Sequence, residues 1–297
     1  MAWFMTESLK EYRAAAGGFL ASKRTENNVL VTVVETLRAR GMAAFGDAAP
    51  LFGWWLSSGG AVEGAFVHTP PYGVLLTSVP HQAVESLVES WPSGRQLSGV
   101  NAGEEAAVAF AEVWWRRTAV TSRPHRRERL YRLGNLVFPR PGPAGHPRVA
   151  GTTDKDLLVA WVEAFNDEIG EPGGNAPERV ADRLGYGGLT LWEIDGAPVS
   201  VAGHTRPTGG MVRIGPVYTP PDSRREGYAG AVTAAVSRAA LDAGARDVLL
   251  FTDLSNPTSN GIYQRLGFEP VEDRVVLLFA ASPGPGTTPV GESGSPG

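Results

Sequence analysis

A short loop between a predicted strand and a predicted helix has the residues needed to bind an anion. The strand, over 211–219, is rich in β-branched and aromatic residues, and it ends at Pro220 because proline cannot donate to a sheet ladder. An alanine-rich helix with apolar residues at helical spacing follows over 231–243. Gly227 and Gly230 lie between them, so no large side chain shields the backbone N–H groups at the helix start. Such N–H groups bind phosphate and other anions.

Two common glycine-rich phosphate motifs do not match this loop. A P-loop requires Gly-Lys-Ser/Thr, and a dinucleotide-binding fold requires Gly-x-Gly-x-x-Gly after the first strand of a βαβ unit. Neither pattern occurs in residues 217–230. The alternative is an ordinary connecting loop that has glycine for steric reasons only.

A second polar segment follows a short apolar strand predicted over 246–253. Asn256 is a good N-cap and is followed by proline at the first helical position, so a helix is predicted to begin here. Gly267 ends this helix. Spacings of four and three residues place Asn256, Asn260 and Tyr263 along one side. The helix therefore has one polar side that can face a ligand.

Both segments resemble blocks of one protein family. Arg224-x-x-Gly227-x-Ala229, after Val-Tyr-Thr-Pro, is similar to the coenzyme A loop of the GNAT superfamily of N-acetyltransferases. Asn-Pro-x-Ser-Asn-x-x-Tyr-x-x-x-Gly-Phe, over 256–268, is similar to the last block of that family. The two blocks occur in the family's order and at its usual distance. The resemblance covers residues 148–279 well and the preceding half only in its order of elements.

The resemblance implies transfer of an acetyl group from acetyl-CoA, the acyl-donor cosubstrate, to a primary amine by direct attack in a ternary complex. Tyr263 matches the acid that protonates the leaving thiolate, and a backbone N–H near Val217 would bind the developing oxyanion. No metal is implied. The residues that the resemblance assigns to the coenzyme are Val217, Tyr218, Thr219, Arg224, Arg225, Glu226, Gly227, Tyr228, Ala229, Gly230, Asn256, Ser259, Asn260 and Tyr263.

The group that accepts the amine proton is not defined by the sequence. Glu193 and His204 lie on hairpin strands that approach the acceptor in this fold, and Asp253 ends the strand beside the cleft. Each is also explained as a solvated or structural residue, and water can carry the proton without a dedicated base. A noncatalytic coenzyme A-binding or protein-interaction module on the same fold is therefore the alternative to an enzyme.

Composition and charge exclude several classes of protein. The chain has 297 residues with 42% hydrophobic content, which can form a sizeable core and two domains of ordinary size. A net charge of −4 argues against a general nucleic-acid binder. The absence of cysteine excludes disulfides and thiolate metal sites. Since no long apolar run and no signal-peptide pattern is found, we expect a soluble, cytoplasmic protein.

One basic cluster, at 123–132, could in principle bind an anionic acceptor or nucleic acid. Its alternating pattern fits better with a strand that has long solvated side chains. We therefore expect no nucleic-acid or membrane partner. The predicted partner is a small-molecule or peptide amine acceptor, and a homodimer is possible.

The same order of predicted elements occurs on both sides of a proline- and glycine-rich segment. We therefore predict an α/β (α+β) fold of two tandem GNAT-like domains, each with a mixed central sheet flanked by helices. The predicted parts are residues 1–138, a degenerate GNAT-like domain, 139–147, a linker, 148–281, the catalytic domain, and 282–297, a disordered tail.

The first half lacks the features of a coenzyme loop. Residues 77–81 contain no glycine at the position of the loop. Glu104 and Glu105 stand near the start of its next helix, where carboxylates would compete with a phosphate for the positive end of the helix dipole. We expect this half to be noncatalytic.

Overall fold

The computed structural model describes residues 1–171 and 175–280. The tail predicted for 282–297 lies outside these residues. Over the described chain there are twelve strands and eight α-helices, and one order of elements occurs twice.

The first half runs from β1 to β6. Its elements are β1 (Ala2–Thr6), α1 (Leu9–Ser22), α2 (Asn28–Arg40), β2 (Leu51–Leu56), β3 (Val62–His68), β4 (Val74–Leu76), α3 (His81–Ser90), β5 (Gly99–Gly103), α4 (Glu104–Thr118) and β6 (Ser122–Leu133).

The second half repeats this order from β7 to β12, with short 3₁₀ turns at Thr152–Asp154 and Pro221–Ser223. Its elements are β7 (His146–Val149), α5 (Lys155–Glu168), α6 (Ala176–Leu184), β8 (Leu189–Ile194), β9 (Ala197–His204), β10 (Met211–Tyr218), α7 (Tyr228–Asp242), β11 (Asp247–Asp253), α8 (Pro257–Arg265) and β12 (Phe268–Phe279).

Within the described chain, the strands form one mixed sheet in the order β1-β2-β3-β4-β5-β12-β6-β11-β10-β9-β8-β7. Each half contributes its last strand to the other half, because β6 pairs with β11 and β12 pairs with β5. β6 and β12 also pair with each other from Leu133↔Phe268 to Ser122↔Phe279. Neither β5 nor β11 is therefore an exposed edge, which is where sheets are prone to aggregate.

The helices cover the sheet in two layers. Val201 on β9 packs in the core under α5 and α6, whereas its neighbour Ala202 packs in the core under α7 and α8. Successive strand residues point to opposite faces, so these helix pairs lie on opposite faces of the sheet. In the first half α1 and α2 share one core, and α3 and α4 share another. We call the two sides of the second half the α6 face and the α7 face.

Most predicted elements are confirmed, one element was missed and one bound differs. The hairpin β8–β9, whose strands carry Glu193 and His204, forms as predicted. β1 was not predicted, because five residues at the chain start carry too little pattern. β6 runs from Ser122 to Leu133 and contains the basic cluster at 123–132, for which a strand was predicted. β7 begins at His146, inside the segment 139–147 that we predicted as a linker.

Candidate functional site

Strands β10 and β11 separate partway along their length. Their parallel pairing ends at Ile214↔Leu250. Beyond this point no described strand pairs with the edge of β10 that faces β11. A β-bulge lies between Ile214 and Val217, after which Val217 and Tyr218 pair with β9 alone. The space between residues 215–218 and 251–253 is called the strand gap below. Gly215 O and Tyr218 O accept from the side chains of Arg183 and Ser200, but no described strand pairs with this edge of β10 in the gap, so an extended ligand can pair there.

The loop that follows β10 presents a row of unpaired donors. Arg225 and Gly227 have φ values of +72° and +86°, a left-handed conformation that glycine adopts without strain. α7 begins at the next residue. Among the described residues, none accepts a hydrogen bond from the backbone N–H groups of residues 225–230. The first backbone bond of α7 is Ala231 N–H to Gly227 O, at 3.1 Å. This arrangement is suited to bind a diphosphate.

The Arg224 side chain stabilises this loop through contacts with Thr219, Glu168 and Tyr218. Its Nε donates to Thr219 O at 2.8 Å, and one terminal nitrogen lies 2.5 Å from Glu168 Oε1 on α5. Its guanidinium carbon lies 5.8 Å from the centre of the Tyr218 ring. These contacts agree with a loop in which main-chain donors, rather than Arg224, provide the anion contacts.

The two asparagines of α8 make structural hydrogen bonds. Asn256 Oδ1 accepts from Ser259 N at 3.0 Å and caps the helix. Asn260 Nδ2 donates to Asp253 O at 2.9 Å and to Asn256 O at 2.7 Å. Asn260 Oδ1 also accepts from the Tyr131 hydroxyl of β6, at 3.0 Å. Asn260 therefore fastens α8 to the end of β11 and to β6.

Tyr263 lies on α8 against the core of the α7 face. Its ring meets Phe268 edge-on with centroids 6.1 Å apart, and it packs against the cluster that contains Ile214 and Leu250. Burial raises the pKa of Tyr263 to about 12. No described residue forms a hydrogen bond with its hydroxyl. Tyr263 is therefore protonated at neutral pH and able to donate that proton.

The three residues considered as proton acceptors all have hydrogen-bond partners. Glu193 Oε1 accepts from Arg148 at 2.7 and 2.9 Å, and these bonds lower the pKa of Glu193. Asp253 Oδ1 accepts from the backbone N and the hydroxyl of Ser255 at 2.7 and 2.8 Å. His204 Nδ1 lies 3.0 Å from Thr205 O. These contacts leave Glu193 and Asp253 poorly suited to take a proton from an amine.

The first half has a different arrangement at the matching place. β4 and β5 pair only at two positions, so they also diverge. Arg274 of β12 is buried here, and its Nη2 donates to Leu76 O at 3.4 Å and to Asn101 O at 3.2 Å. One guanidinium therefore ties the two diverging strands together. Glu104 and Glu105 begin α4 beside this place, as the sequence indicated.

The arginine cluster of β6 is paired with carboxylates. Arg127 lies 2.7 Å from Glu104, and Arg129 lies 2.6 Å from Asp273. Arg126 contacts Glu171. The strand was predicted correctly, and these arginines form ion pairs while staying partly exposed, as Arg127 does with 54% of its side chain. The ion pairs offset part of the positive charge of the cluster.

The segment between β6 and β7 lies along α8 and the start of α7. Val137 N–H donates to Leu266 O at 3.0 Å. A Cβ placed on Gly230 would lie 3.8 Å from Pro139 Cγ, and one placed on Gly227 would lie 3.9 Å from Pro143 Cγ. The connecting segment is therefore packed beside the loop with the unpaired N–H groups of residues 225–230, which is called the anion loop below.

No helix among the described residues is long and apolar enough to cross a membrane. Within the same ranges, no group of three or more His, Asp or Glu side chains could hold a metal ion.

Comparison with known proteins identifies the fold. The model of the family described as FR47-like protein matches residues 199–277, which span β9 to β12 and so include the loop and α8. An acetyltransferase of the GNAT family from Colwellia psychrerythraea has a TM-score of 0.56 at 12% identity, with 94% of this chain and 99% of that chain covered. The chain has a GNAT fold. The resemblance inferred from the two sequence blocks is confirmed at this level.

Two other solved structures are similar over nearly the whole chain. A GCN5-related N-acetyltransferase from Sphaerobacter thermophilus has a TM-score of 0.60 at 16% identity, covering 94% of this chain and 95% of that chain. A Drosophila protein has a TM-score of 0.65 at 11% identity, covering 94% and 98%. No curated protein matches the chain. At these identities the similarity shows the fold, and it includes both halves.

The structure divides the predicted residues of the two blocks between the two faces and adds others that the sequence did not indicate. The start of α7 and Tyr263 lie on the α7 face, whereas Tyr218 packs in the core of the α6 face and Arg224 bonds to Glu168 of α5. Arg183, Arg213 and Glu128 lie on the α6 face and were not predicted. Glu128 stands in the arginine-rich strand, and only the pairing of β6 with β11 brings it to the second half. A local sequence pattern contains no signal for that pairing.

Proposed function

We propose that the protein is an acetyl-CoA-dependent N-acetyltransferase acting on a primary amine, with its working site in the half that follows residue 148. The observation that carries this proposal is the row of unpaired N–H groups at 225–230, directly after the unpaired edge of β10. A diphosphate with an extended amide arm fits such a pair of features. The first half, where Arg274 bridges β4 and β5, has no turnover in this proposal.

Different parts of the chain bind and orient the two substrates and stabilise the transition state. The thioester supplies an already activated acyl group. The free edge of β10 orients the amide arm, and the loop N–H groups neutralise the diphosphate. Proximity then supplies much of the reduction of the barrier. A backbone N–H near Val217 binds the carbonyl oxygen as it gains charge.

Tyr263 completes the exchange of bonds. The amine nitrogen forms a bond to the acyl carbon, and the carbon–sulfur bond breaks. Tyr263 donates its proton to the leaving sulfur; burial raises its pKa, so it holds the proton at neutral pH and is a weaker acid than a free tyrosine. The nitrogen loses one proton to water and the tyrosinate regains one from water, so the products are one amide and one thiol.

A binding measurement tests the site. We expect calorimetry to show acetyl-CoA binding to the native protein, and Gly227→Glu to weaken it about 100-fold or more, because a carboxylate would face the diphosphate. Gly244→Glu is the matched control. Gly244 has nearly the same φ, +88°, lies at the other end of α7, and has no atom within 4 Å of an added Cβ. It adds the same charge and similar strain, so its affinity should stay near that of the native protein.

A turnover measurement separates an enzyme from a noncatalytic binder. Thiol release from acetyl-CoA is followed with a panel of primary amines, for the native protein and for Tyr263→Phe. We expect the variant to bind acetyl-CoA normally and to lose about 100-fold in kcat. No binding to the folded native protein would refute the proposed function. Binding without turnover of any amine would leave only coenzyme binding.

A further inference from the structure

Three charged side chains from different elements lie beside the strand gap on the α6 face. Arg213 of β10 alternates with Val212 and Ile214, which pack in the core of the α7 face. Glu128 of β6 lies three residues before Tyr131, which packs in the core of the α7 face, so Glu128 points the opposite way. It is the register partner of Asp253, at the end of β11. Both side chains therefore point to the α6 face. Arg183 of α6 reaches the start of the gap, where its Nη2 donates to Gly215 O at 3.0 Å.

The two arginines lack anionic partners among the described residues. Arg183 Nη1 is buried and has no acceptor there. Arg213 Nη1 donates to the neutral Asn28 Oδ1 at 3.0 Å, and neither guanidinium lies within ion-pair distance of a carboxylate. Burial lowers the pKa of Arg213, the negative charge of Glu128 raises it, and the positive charge of Arg183 lowers it. Glu128 therefore offsets part of the charge of two neighbouring, partly desolvated cations, and the remaining positive charge favours an anionic ligand.

Glu128 supplies a charge of opposite sign in the same place. Its Oε1 lies 3.0 Å from Arg126 Nε, and its side chain is 18% exposed. Burial raises the pKa of Glu128, which makes it a better proton acceptor than an exposed carboxylate. Glu193 and Asp253 accept hydrogen bonds from their partners, whereas the contact of Glu128 with Arg126 is an ion pair in which Arg126 Nε makes no hydrogen bond with a described residue.

The position of the cluster relative to the coenzyme site suggests what it binds. In the proposed function the coenzyme approaches the gap from the α7 face, where the start of α7 and Tyr263 lie. An amine must then reach the acyl carbon from the opposite, α6 face. The cluster lies on that face, where Arg183 and Arg213 supply two cations and Glu128, which also lies against Arg126, supplies an anion.

We propose that this cluster is the acceptor subsite and that the acceptor is an α-amino acid, whose carboxylate binds Arg183 and Arg213 and whose ammonium group meets Glu128. This inference rests on the proposed function. Glu128 takes one proton from the ammonium group, which leaves the neutral amine that attacks. Polycationic amines are excluded as acceptors, because they would meet the two guanidiniums.

Matched acceptors test the inference. For the native protein, kcat/KM is measured with each of the protein amino acids and with the corresponding α-amides, which keep the amine and lose the carboxylate. We expect a preference of about tenfold or more for the acid over its amide. Arg213→Gln should reduce kcat/KM for the acid about 30-fold or more and leave the amide within about twofold. Arg213→Lys keeps a charge and should retain part of the preference.

Control measurements keep the outcomes distinct. Arg238→Gln changes an exposed arginine on α7 that pairs only with Asp242, and it should leave the preference unchanged. Each variant must bind acetyl-CoA as the native protein does, which shows that it is folded. Glu128→Gln should lower kcat for acids and amides alike and remove an acidic limb from the pH profile of kcat/KM.

The result that overturns this inference differs from the one that overturns the proposed function. If acetyl-CoA does not bind the native protein, the proposed function itself fails. If acetyl-CoA binds but no amino acid is acetylated, or if amides react as well as acids and Arg213→Gln changes neither, the acceptor inference fails. In that case an acetyltransferase with another amine acceptor remains.

Discussion

The segment that joins the two halves is held tightly against α8, and Gly267→Ala tests this contact. A Cβ at Gly267 would lie 1.8 Å from Asn135 O and 2.9 Å from Asn135 C, and both of these are backbone atoms. The φ of Gly267 is +92°, which costs an L residue about 1–2 kcal/mol. Two hydrogen bonds of the segment, Gly134 N–H to Gly267 O and Val137 N–H to Leu266 O, would also be disturbed, at about 1 kcal/mol each.

We therefore expect Gly267→Ala to lower the free energy of unfolding by about 3–4 kcal/mol, measured by urea denaturation. Gly244→Ala is the control, since its φ is +88° and an added Cβ has no atom within 4 Å. It should cost only the strain, about 1–2 kcal/mol. Equal losses in the two variants would refute the reasoning, because the contact with Asn135 would then contribute nothing.

Three further predictions concern pH and charge. Arg148→Met should lower the free energy of unfolding at pH 7 by about 2–4 kcal/mol, because it leaves the carboxylates of Asp154 and Glu193 without their shared cation. Since hydrogen bonds from Arg148 lower the pKa of both carboxylates, this loss should shrink in urea titrations as the pH falls through those lowered pKa values. Burial lowers the pKa of His68 to about 4. Between about pH 4 and 6.5 the unfolded chain therefore binds a proton at His68 that the folded chain does not bind. The free energy of unfolding should rise with pH across that window by up to about 1.4 kcal/mol per pH unit from this residue in the native protein, but not in His68→Gln. Because the pKa of Tyr263 is about 12, kcat should show no alkaline limb from this tyrosine below about pH 11, and a Tyr263-dependent limb near pH 10 in the pH–rate profile would contradict the observed burial.

Features determined by neighbouring residues were predictable from the sequence. The hairpin between β8 and β9 turns at Asp195 and Gly196, whose φ values of +49° and +79° suit the Asp-Gly type I′ turn. Asn256 caps α8, and Gly227 adopts the left-handed conformation before α7. Each of these features depends on residues within a few positions along the chain.

Features that depend on distant pairing were not predictable in this way. Nothing local to β6 indicates that it pairs with β11 instead of completing its own half, because the alternation of its side chains suits either neighbour. Its arginines were expected to be solvated for the same reason, since Asp273, the partner of Arg129, comes 144 residues later. The charged cluster of the α6 face was missed because its members come from β6, α6 and β10.

The exchanged strands also explain why two halves with one order of elements differ in what their strand gaps can accept. Arg274 and Glu128 are register partners on β12 and β6, so they occupy matching positions beside the gaps of the first and second halves. A guanidinium is a donor only, and Arg274 uses this to bond the carbonyl groups of Leu76 and Asn101 across the first gap. A carboxylate accepts and cannot bond carbonyl oxygens, so Glu128 cannot tie β10 to β11 in the same way. The difference in charge between these two side chains therefore leaves the edge of β10 unpaired only where the anion loop follows it.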